Sequence, residues 1–139
     1  MKIDKKRILK HLRQEVFCHL GISKTHGVGV FAIRAIPKGI NPLISWLDDG
    51  EVRFTKKELE SIPKEVQKQI ELFCYYDTKK TSIPKIGLNA MTMGIYLNHS
   101  KKPNIELKKS GRFNTLRQIK KGEELLMDYD KAFGEKHYF

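Results

Sequence analysis

Two short segments constrain this chain more than any other feature. The first is Tyr96-Leu97-Asn98-His99-Ser100-Lys101-Lys102-Pro103-Asn104, and the second is Gly122-Glu123-Glu124-Leu125-Leu126-Met127-Asp128-Tyr129. Each sets polar side chains directly beside apolar ones: Leu97 precedes Asn98-His99, and Leu125-Leu126-Met127 precedes Asp128-Tyr129. Polar groups held against an apolar wall must find hydrogen-bond partners or they cost free energy. An amide, an imidazole and a phenol placed this way can share one pocket, and such a pocket can take a small cofactor without a metal or an attacking nucleophile. Asn, Ser, Pro and Gly are also turn formers, so two capped turns are the other reading of the same residues.

At 139 residues the chain suits one domain, 1–139, with a real core. Its apolar runs are too short to span a bilayer, and Met1-Lys2-Ile3-Asp4-Lys5-Lys6-Arg7 is followed by no apolar leader region. No membrane association is therefore expected, and the location is read as intracellular, cytoplasmic or, in a eukaryotic host, nuclear. Cys18 and Cys74 are the only cysteines. They form no CxxC pair and cannot build a structural zinc site, which suits a reduced compartment. His11, His19, His26, His99 and His137 show no ligand spacing, so no metal is expected. Lys and Arg number 27 against 16 Asp and Glu, a net charge of +11. That balance suits an acidic partner such as nucleic acid. The bases are nevertheless spread along the chain, without the interleaved aromatics of a single-strand binder, so nucleic-acid association is expected as a secondary property.

Along the chain, residues 4–13 (within an N-terminal segment 1–15) read as an amphipathic helix with Ile8, Leu9 and Leu12 on one side. Val16, Cys18, Leu20 and Ile22 alternate as in a strand, Ser23–Gly29 is a turn, and Gly29–Ile36 is a second strand closed by Pro37-Lys38-Gly39. Short strands are expected at 43–47 and 51–54. Thr55-Lys56-Lys57-Glu58 is a capping box that should open a helix, Ser61 and Pro63 mark a second start, and Ile62, Val66, Ile70 and Phe73 recur at helical spacing, giving a helical insert over 55–75. Residues 77–85 are polar and break the pattern. Strands are expected near 86–90, 104–107, 112–119 and 124–127, with turns at Ser110-Gly111 and Lys120-Lys121-Gly122. The sum is a mostly β domain with a helical insert, an α+β class, ending in an aromatic tail over 128–139.

Three constellations carry chemistry. Gly27-Val28-Gly29-Val30-Phe31-Ala32 matches a dinucleotide fingerprint, with Asp48 and Asp49 about 20 residues on. A Rossmann loop must open a helix so that its N-terminus meets the pyrophosphate, and here the continuation is β-rich. The glycines instead either let the backbone lie flush against a ligand or form a plain hairpin turn. Asn98-His99-Ser100 invites a hydrolase reading, but adjacent residues rarely converge as nucleophile and base, and no GxSxG elbow exists. Glu123, Glu124, Asp128, Asp130 and Glu135, opposed locally only by Lys131 and Lys136, form an acidic island in a basic chain. It is either a site for a cationic ligand, such as a sulfonium or a lysine ammonium, or a solvated turn.

Taken together and in order, these motifs resemble the SET-domain protein lysine methyltransferases. The matching elements are Gly27–Ala32 with Ile36-Pro37-Lys38-Gly39, then Tyr96–Ser100 with Pro103-Asn104, then Ile119–Leu125 ending in Asp128-Tyr129. The likeness spans roughly residues 16–133 and is nearest to the short bacterial and viral members without a zinc-binding C-terminal module. It implies a fold of small β-sheets with a C-terminal pseudoknot, in which the last segment threads through a loop of the preceding chain. It implies methyl transfer from S-adenosylmethionine to lysine in a protein substrate. On this resemblance Val28 and Gly29 lie along the methionine end of the cofactor, Asn98 holds its amino group, His99 meets the adenine through its backbone, and Tyr129 is the active-site tyrosine. Tyr96 stands near the pocket as a second catalytic tyrosine or else as a core residue, and Met127, Phe133 and Trp46 line the substrate channel, with Phe133 in the place of a closing residue ahead of Tyr138 and Phe139. The helical insert walls the peptide groove. Short viral members pair to complete their grooves, which leaves a homodimer open here. Departures are equally plain: Lys101 stands where many members carry a zinc-binding cysteine, Ile95 where an arginine is common, and Trp46 is only the nearest aromatic to an expected tyrosine. Met127, in place of a tyrosine, implies that more than one methyl is added. The other class left open is a catalytically weak SET-like binding module whose basic surface takes nucleic acid or protein.

Overall fold

The computed structural model describes residues 4–46, 51–74, 76–90 and 92–133, and of Phe133 the backbone alone. In chain order the elements are α1 (Lys5–Gln14), β1 (Cys18–Ile22), β2 (Val28–Ala32), β3 (Glu51–Thr55), α2 (Lys64–Phe73), β4 (Lys80–Pro84), a 3-10 turn (Met93–Tyr96), β5 (Asn98–His99), β6 (Ile105–Leu107), β7 (Phe113–Thr115), β8 (Glu124–Met127) and α3 (Tyr129–Phe133). They gather into two compact units, residues 1–45 with 96–139, and residues 46–95. None of the described helices is long and apolar enough to cross a membrane.

In the first unit, α1 begins where the Asp4 carboxylate accepts the backbone N–H of Arg7 at 2.9 Å, which satisfies one of the orphan donors of a helix start. Its apolar stripe forms as the spacing predicts, yet no residue of α1 is buried. The alternating residues of β1 and β2 pair from Cys18↔Ala32 to Ile22↔Val28. The connecting turn is shorter than expected, closing at Ser23 N to Gly27 O, 2.7 Å, with Gly27 at φ +49. Cys18 is buried, whereas Ile22, at the far end of the same face, is 92% exposed. The second strand stops at Ala32. Ile36, expected within it, makes an isolated bridge to Ile119.

β8 occupies the middle of this unit, in a sheet ordered β1-β2-β8-β6-β7 with β5 also paired to β8. Its pairing is antiparallel to β2 (Val30↔Leu125) and parallel to both β5 (Asn98↔Leu126, His99↔Met127) and β6 (Ile105↔Met127). Successive residues of a strand turn their peptide groups to opposite edges. Met127 takes the N–H of Ser100 at one edge, while Leu126 exchanges both its N–H and its C=O with Asn104 at the other. Residues 100–104 therefore cross β8 from edge to edge. Val30, Ala32, Ile36, Leu97, Ile105, Ile119, Leu125 and Met127 are buried around it, and each Val, Ile, Leu or Met contributes about 1.5–3 kcal/mol by leaving water.

The second unit departs from the sequence reading in several places. Residues 43–46 carry no strand, and residue 47 lies outside the described residues, as do Asp48 and Asp49. The capping box forms in full: Glu58 accepts the N–H of Thr55 at 2.9 Å and Thr55 Oγ1 accepts the N–H of Glu58 at 3.2 Å. No α-helix follows it, only four-residue turns such as Leu59 N to Lys56 O, 3.2 Å. The helix starts instead at Lys64, after Pro63, whose missing N–H removes a helix bond. From there Ile70 is buried as its spacing requires. The polar stretch 77–85 is not a break but contains β4, paired with β3 over Glu51↔Pro84 to Thr55↔Lys80. Residues 86–90, expected as a strand, are turn and bend.

Candidate active site

The site is built around the start of β5, where Leu97 is 1% and Asn98 7% exposed. The Asn98 amide nitrogen donates to the carbonyls of His26 at 2.9 Å and Val28 at 3.3 Å, and to Glu124 Oε2 at 2.8 Å. Three acceptors around one NH2 group orient the amide and make Oδ1 its accepting side. Glu124 also takes the hydroxyl of Ser23, at 2.7 and 2.9 Å. Ser23 Oγ in turn accepts the N–H groups of Thr25 at 2.9 Å and His26 at 3.2 Å. One carboxylate thus ties the β1–β2 turn to β5 and β8. Gly29 makes room for it: a Cβ there would stand 2.3 Å from Glu124 Oε2 and 3.1 Å from Asn98 Nδ2.

Tyr129 closes the other side. Its backbone N–H donates to His99 Nδ1 at 3.0 Å, its hydroxyl donates to the carbonyl of Leu97, and its ring lies 5.2 Å from the His99 ring at 51°. The parallel pairing of β5 with β8 brings these residues together across 30 positions of sequence. Burial pushes the Tyr129 phenol above its ordinary value, so the hydroxyl stays protonated and donating at neutral pH.

The acidic island resolves into separate pairs. Arg117 holds Glu123 at 2.8 Å and, with the N–H of Lys120, lowers its pKa. Lys101 reaches Asp130 directly and Asp128 at 3.5 Å. Burial pushes Asp128 up, but the N–H of Lys131, the Lys101 ammonium and the N–H of Asp130 outweigh it and leave the carboxyl low. Ligand atoms of His99, Asp128 and Asp130 lie within 4.8 Å of one another, and the ammonium of Lys101 already sits on the two carboxylates. The cations that answer this island come from positions 101 and 117, which the local sequence did not reveal.

Of the residues singled out from sequence, Val28, Gly29, Asn98, His99 and Tyr129 converge. Tyr96 ends the 3-10 turn, half-buried, one residue before the carbonyl that takes the Tyr129 hydroxyl. Met127 is a core residue, 4% exposed, and Trp46 is 37% exposed and belongs to the second unit. The Phe133 side chain, Glu135, Lys136, Tyr138 and Phe139 lie outside the described residues. Sequence reasoning missed Glu124, Ser23 and Asn104 as structural partners of the site. Asn104, 2% exposed, donates to Glu124 O at 2.9 Å and accepts from Leu126 N at 2.8 Å. The available signal was the same rule applied to Asn98: a carboxylate beside Leu125-Leu126 must find a donor.

Among curated proteins, none matches this chain. Among solved structures, a "putative histone methyltransferase" of Plasmodium falciparum is 19% identical with a TM-score of 0.54, the alignment covering 86% of this chain and 98% of that one. At that identity the likeness speaks for the fold. The family model of the SET domain matches residues 27–130, which contain Val28, Gly29, Asn98, His99 and Tyr129, and the chain belongs to the SET-domain family.

Proposed function

We propose that this chain transfers methyl groups from S-adenosylmethionine to the side-chain amine of lysine in a protein substrate. One observation carries the reading: Tyr129 is pinned at both ends, by His99 Nδ1 on its backbone and the Leu97 carbonyl on its hydroxyl. A hydroxyl that donates its hydrogen bond to the Leu97 carbonyl keeps its lone pairs as acceptors, and these can orient the N–H of an incoming amine. Lysine attacks only when neutral, against an ordinary pKa of about 10.4, and desolvation in a narrow channel lowers that value. Alignment then matters more than a strong base, and positioning can be worth up to roughly 7–11 kcal/mol in ideal cases.

The residues fit the cofactor. Asn98 has its NH2 committed to three acceptors, so its Oδ1 would accept from the amino group. Val28 and Gly29 would lie along the methionine end, and the backbone of His99 would meet the adenine. When bound, the cofactor supplies a methyl group on a positively charged sulfur. Tyr96 is the second proposed catalytic tyrosine, and Met127 and Phe133 are proposed channel residues.

The experiment is transfer of labelled methyl from S-adenosylmethionine into proteins of a cell lysate, with Tyr129→Phe in parallel. Label on discrete bands, lost or much reduced in the variant, supports the reading and delivers the substrate for mass spectrometry. Tight cofactor binding without turnover would select a binding module instead.

A further inference from the structure

Tyr129 stands between two carboxylates in sequence, Asp128 and Asp130, and one ammonium from another segment holds both. Lys101, two residues beyond β5, pairs with Asp130 directly and with Asp128 Oδ1 at 3.5 Å. An exposed ion pair contributes little by itself. Here one of the carboxylates, Asp128, is buried, and the same Oδ1 caps α3 by accepting the N–H groups of Asp130 at 3.0 Å and Lys131 at 3.3 Å. The Asp128 carbonyl closes the first turn on the N–H of Ala132 at 3.0 Å. Helix α3 has five residues, too few to hold a helix by itself, so its start depends on what anchors it.

Three anchors run from the β5 segment to that start. The N–H of Ser100 donates to the Met127 carbonyl at 3.0 Å. His99 Nδ1 accepts the N–H of Tyr129 at 3.0 Å. Lys101 grips the residue on either side of Tyr129. The imidazole and the two carboxylates form one cluster, with ligand atoms within 4.8 Å of one another. Without the ammonium, two like charges at that range would repel, and the residue between them is Tyr129. Its ring moves with its backbone, so a shift there is felt at the bond from its hydroxyl to the Leu97 carbonyl.

We propose that Lys101 is a positioning residue for Tyr129: its ammonium fixes the two carboxylates that bracket the tyrosine and so keeps the phenol hydroxyl on Leu97, where its lone pairs can orient the incoming amine. The inference rests on the methyl-transfer reading of this site. In this role Lys101 touches neither cofactor nor substrate, so it acts on turnover and not on cofactor affinity.

The test compares Lys101→Met and Lys101→Arg with Arg117→Met, which removes an ion pair, Arg117–Glu123, from the other end of β8. Kinetics use labelled S-adenosylmethionine and the substrate that the lysate assay delivers. A displacement of about 1 Å can cost about 100-fold in rate; Lys101→Met should lower kcat at least about tenfold, with KM for the cofactor within about twofold of wild type. Lys101→Arg keeps the charge and can reach two carboxylates at once, so its kcat should return to within about threefold of wild type. Arg117→Met should stay within about twofold. The second readout, amide hydrogen exchange followed by NMR, needs no turnover. In Lys101→Met the N–H of Tyr129 should speed up at least about tenfold more than the N–H of Leu126, which is bonded to Asn104 Oδ1 at 2.8 Å. Equal acceleration of the two amides would mean a general loss of stability and overturn the proposal, as would an unchanged kcat in Lys101→Met or an equal loss in Arg117→Met. A wild-type chain that transfers no methyl group, with exchange at Tyr129 still tied to Lys101, would support the clamp and overturn the enzyme reading.

Discussion

Gly29→Ala tests the site at its tightest point. Gly29 does not use the left-handed backbone, so alanine costs no strain there and the effect is steric. The new Cβ would meet Glu124 Oε2 at 2.3 Å. Ordinary contact begins at 3.4 Å, so the carboxylate must retreat by about 1.1 Å. That carries it out of reach of Asn98 Nδ2, now 2.8 Å away, while the Ser23 hydroxyl can rotate or bind water. Losing one charge-assisted hydrogen bond costs about 1.5–3 kcal/mol. At about 4 °C per kcal/mol for a chain of this size, the melting temperature should fall by roughly 6–12 °C. The assay is a double-mutant cycle with Glu124→Ala, read by denaturant unfolding. Once the carboxylate is gone, the nearest atom left to the new Cβ is Asn98 Nδ2 at 3.1 Å, and Gly29→Ala should cost less than about 1 kcal/mol. Gly27→Ala is the control. Its φ of +49 charges about 1–2 kcal/mol for a left-handed alanine, but nothing lies within 4 Å of its Cβ, so its cost should not depend on Glu124. Titration of S-adenosylmethionine should show at least a tenfold loss for Gly29→Ala, the equivalent of about 1.4 kcal/mol. Strict additivity of Gly29→Ala with Glu124→Ala would refute the reasoning.

Four further outcomes are expected. Burial raises the Tyr129 phenol and pushes the Cys18 thiol up to about 12; raised folded-state values mean stability that is complete below the unfolded pKa values and lost as pH climbs through the folded ones. Melting temperatures should therefore fall above about pH 9–10, less steeply in Tyr129→Phe, and an identical slope in that variant would contradict the buried phenol. With iodoacetamide at pH 8, Cys74, half-buried and raised by burial and then by Glu51, should be alkylated well before Cys18, which should react only on unfolding; peptide mass mapping reads the order. Asp128 is held low, so its stabilisation is present above the ordinary carboxylate pKa and lost as pH falls through the lowered folded-state value; in urea titrations at pH 7 and pH 3, Lys101→Met should narrow the gap between the two, and an unchanged gap would remove the ion pair from the account. Finally, Met127 is flexible and cannot hold a water as a tyrosine can, so the proposed enzyme should yield di- or trimethyl-lysine at saturating cofactor, and monomethyl-lysine alone would count against this.

Where the chemistry is local, the chain declares its structure in its own sequence. Asp4 caps α1, the glycines at 27, 111 and 122 take the positive φ their turns need, and β1, β2, β6 and β8 follow from short β-forming runs bounded by such turns. The polar residues beside apolar walls, Asn98-His99 and Tyr129, mark the site for the same reason: they need partners, and the order of the motifs around them is specific to the family. Where the partner comes from far away, local pattern is silent or misleading. Lys80-Thr81-Ser82 becomes a strand only because β3 offers a ladder, and the capping box at Thr55 forms without propagating because Pro63 interrupts the helix. Glu124, read as part of an acidic island, is answered by Ser23 and Asn98, and Asp130 by Lys101. The order of residues along the chain thus marks the groups that cannot stand alone. Their partners are set by the fold, because residues 100–104 cross β8 from edge to edge, and hydrogen bonds between groups far apart in sequence exist only once that crossing is made.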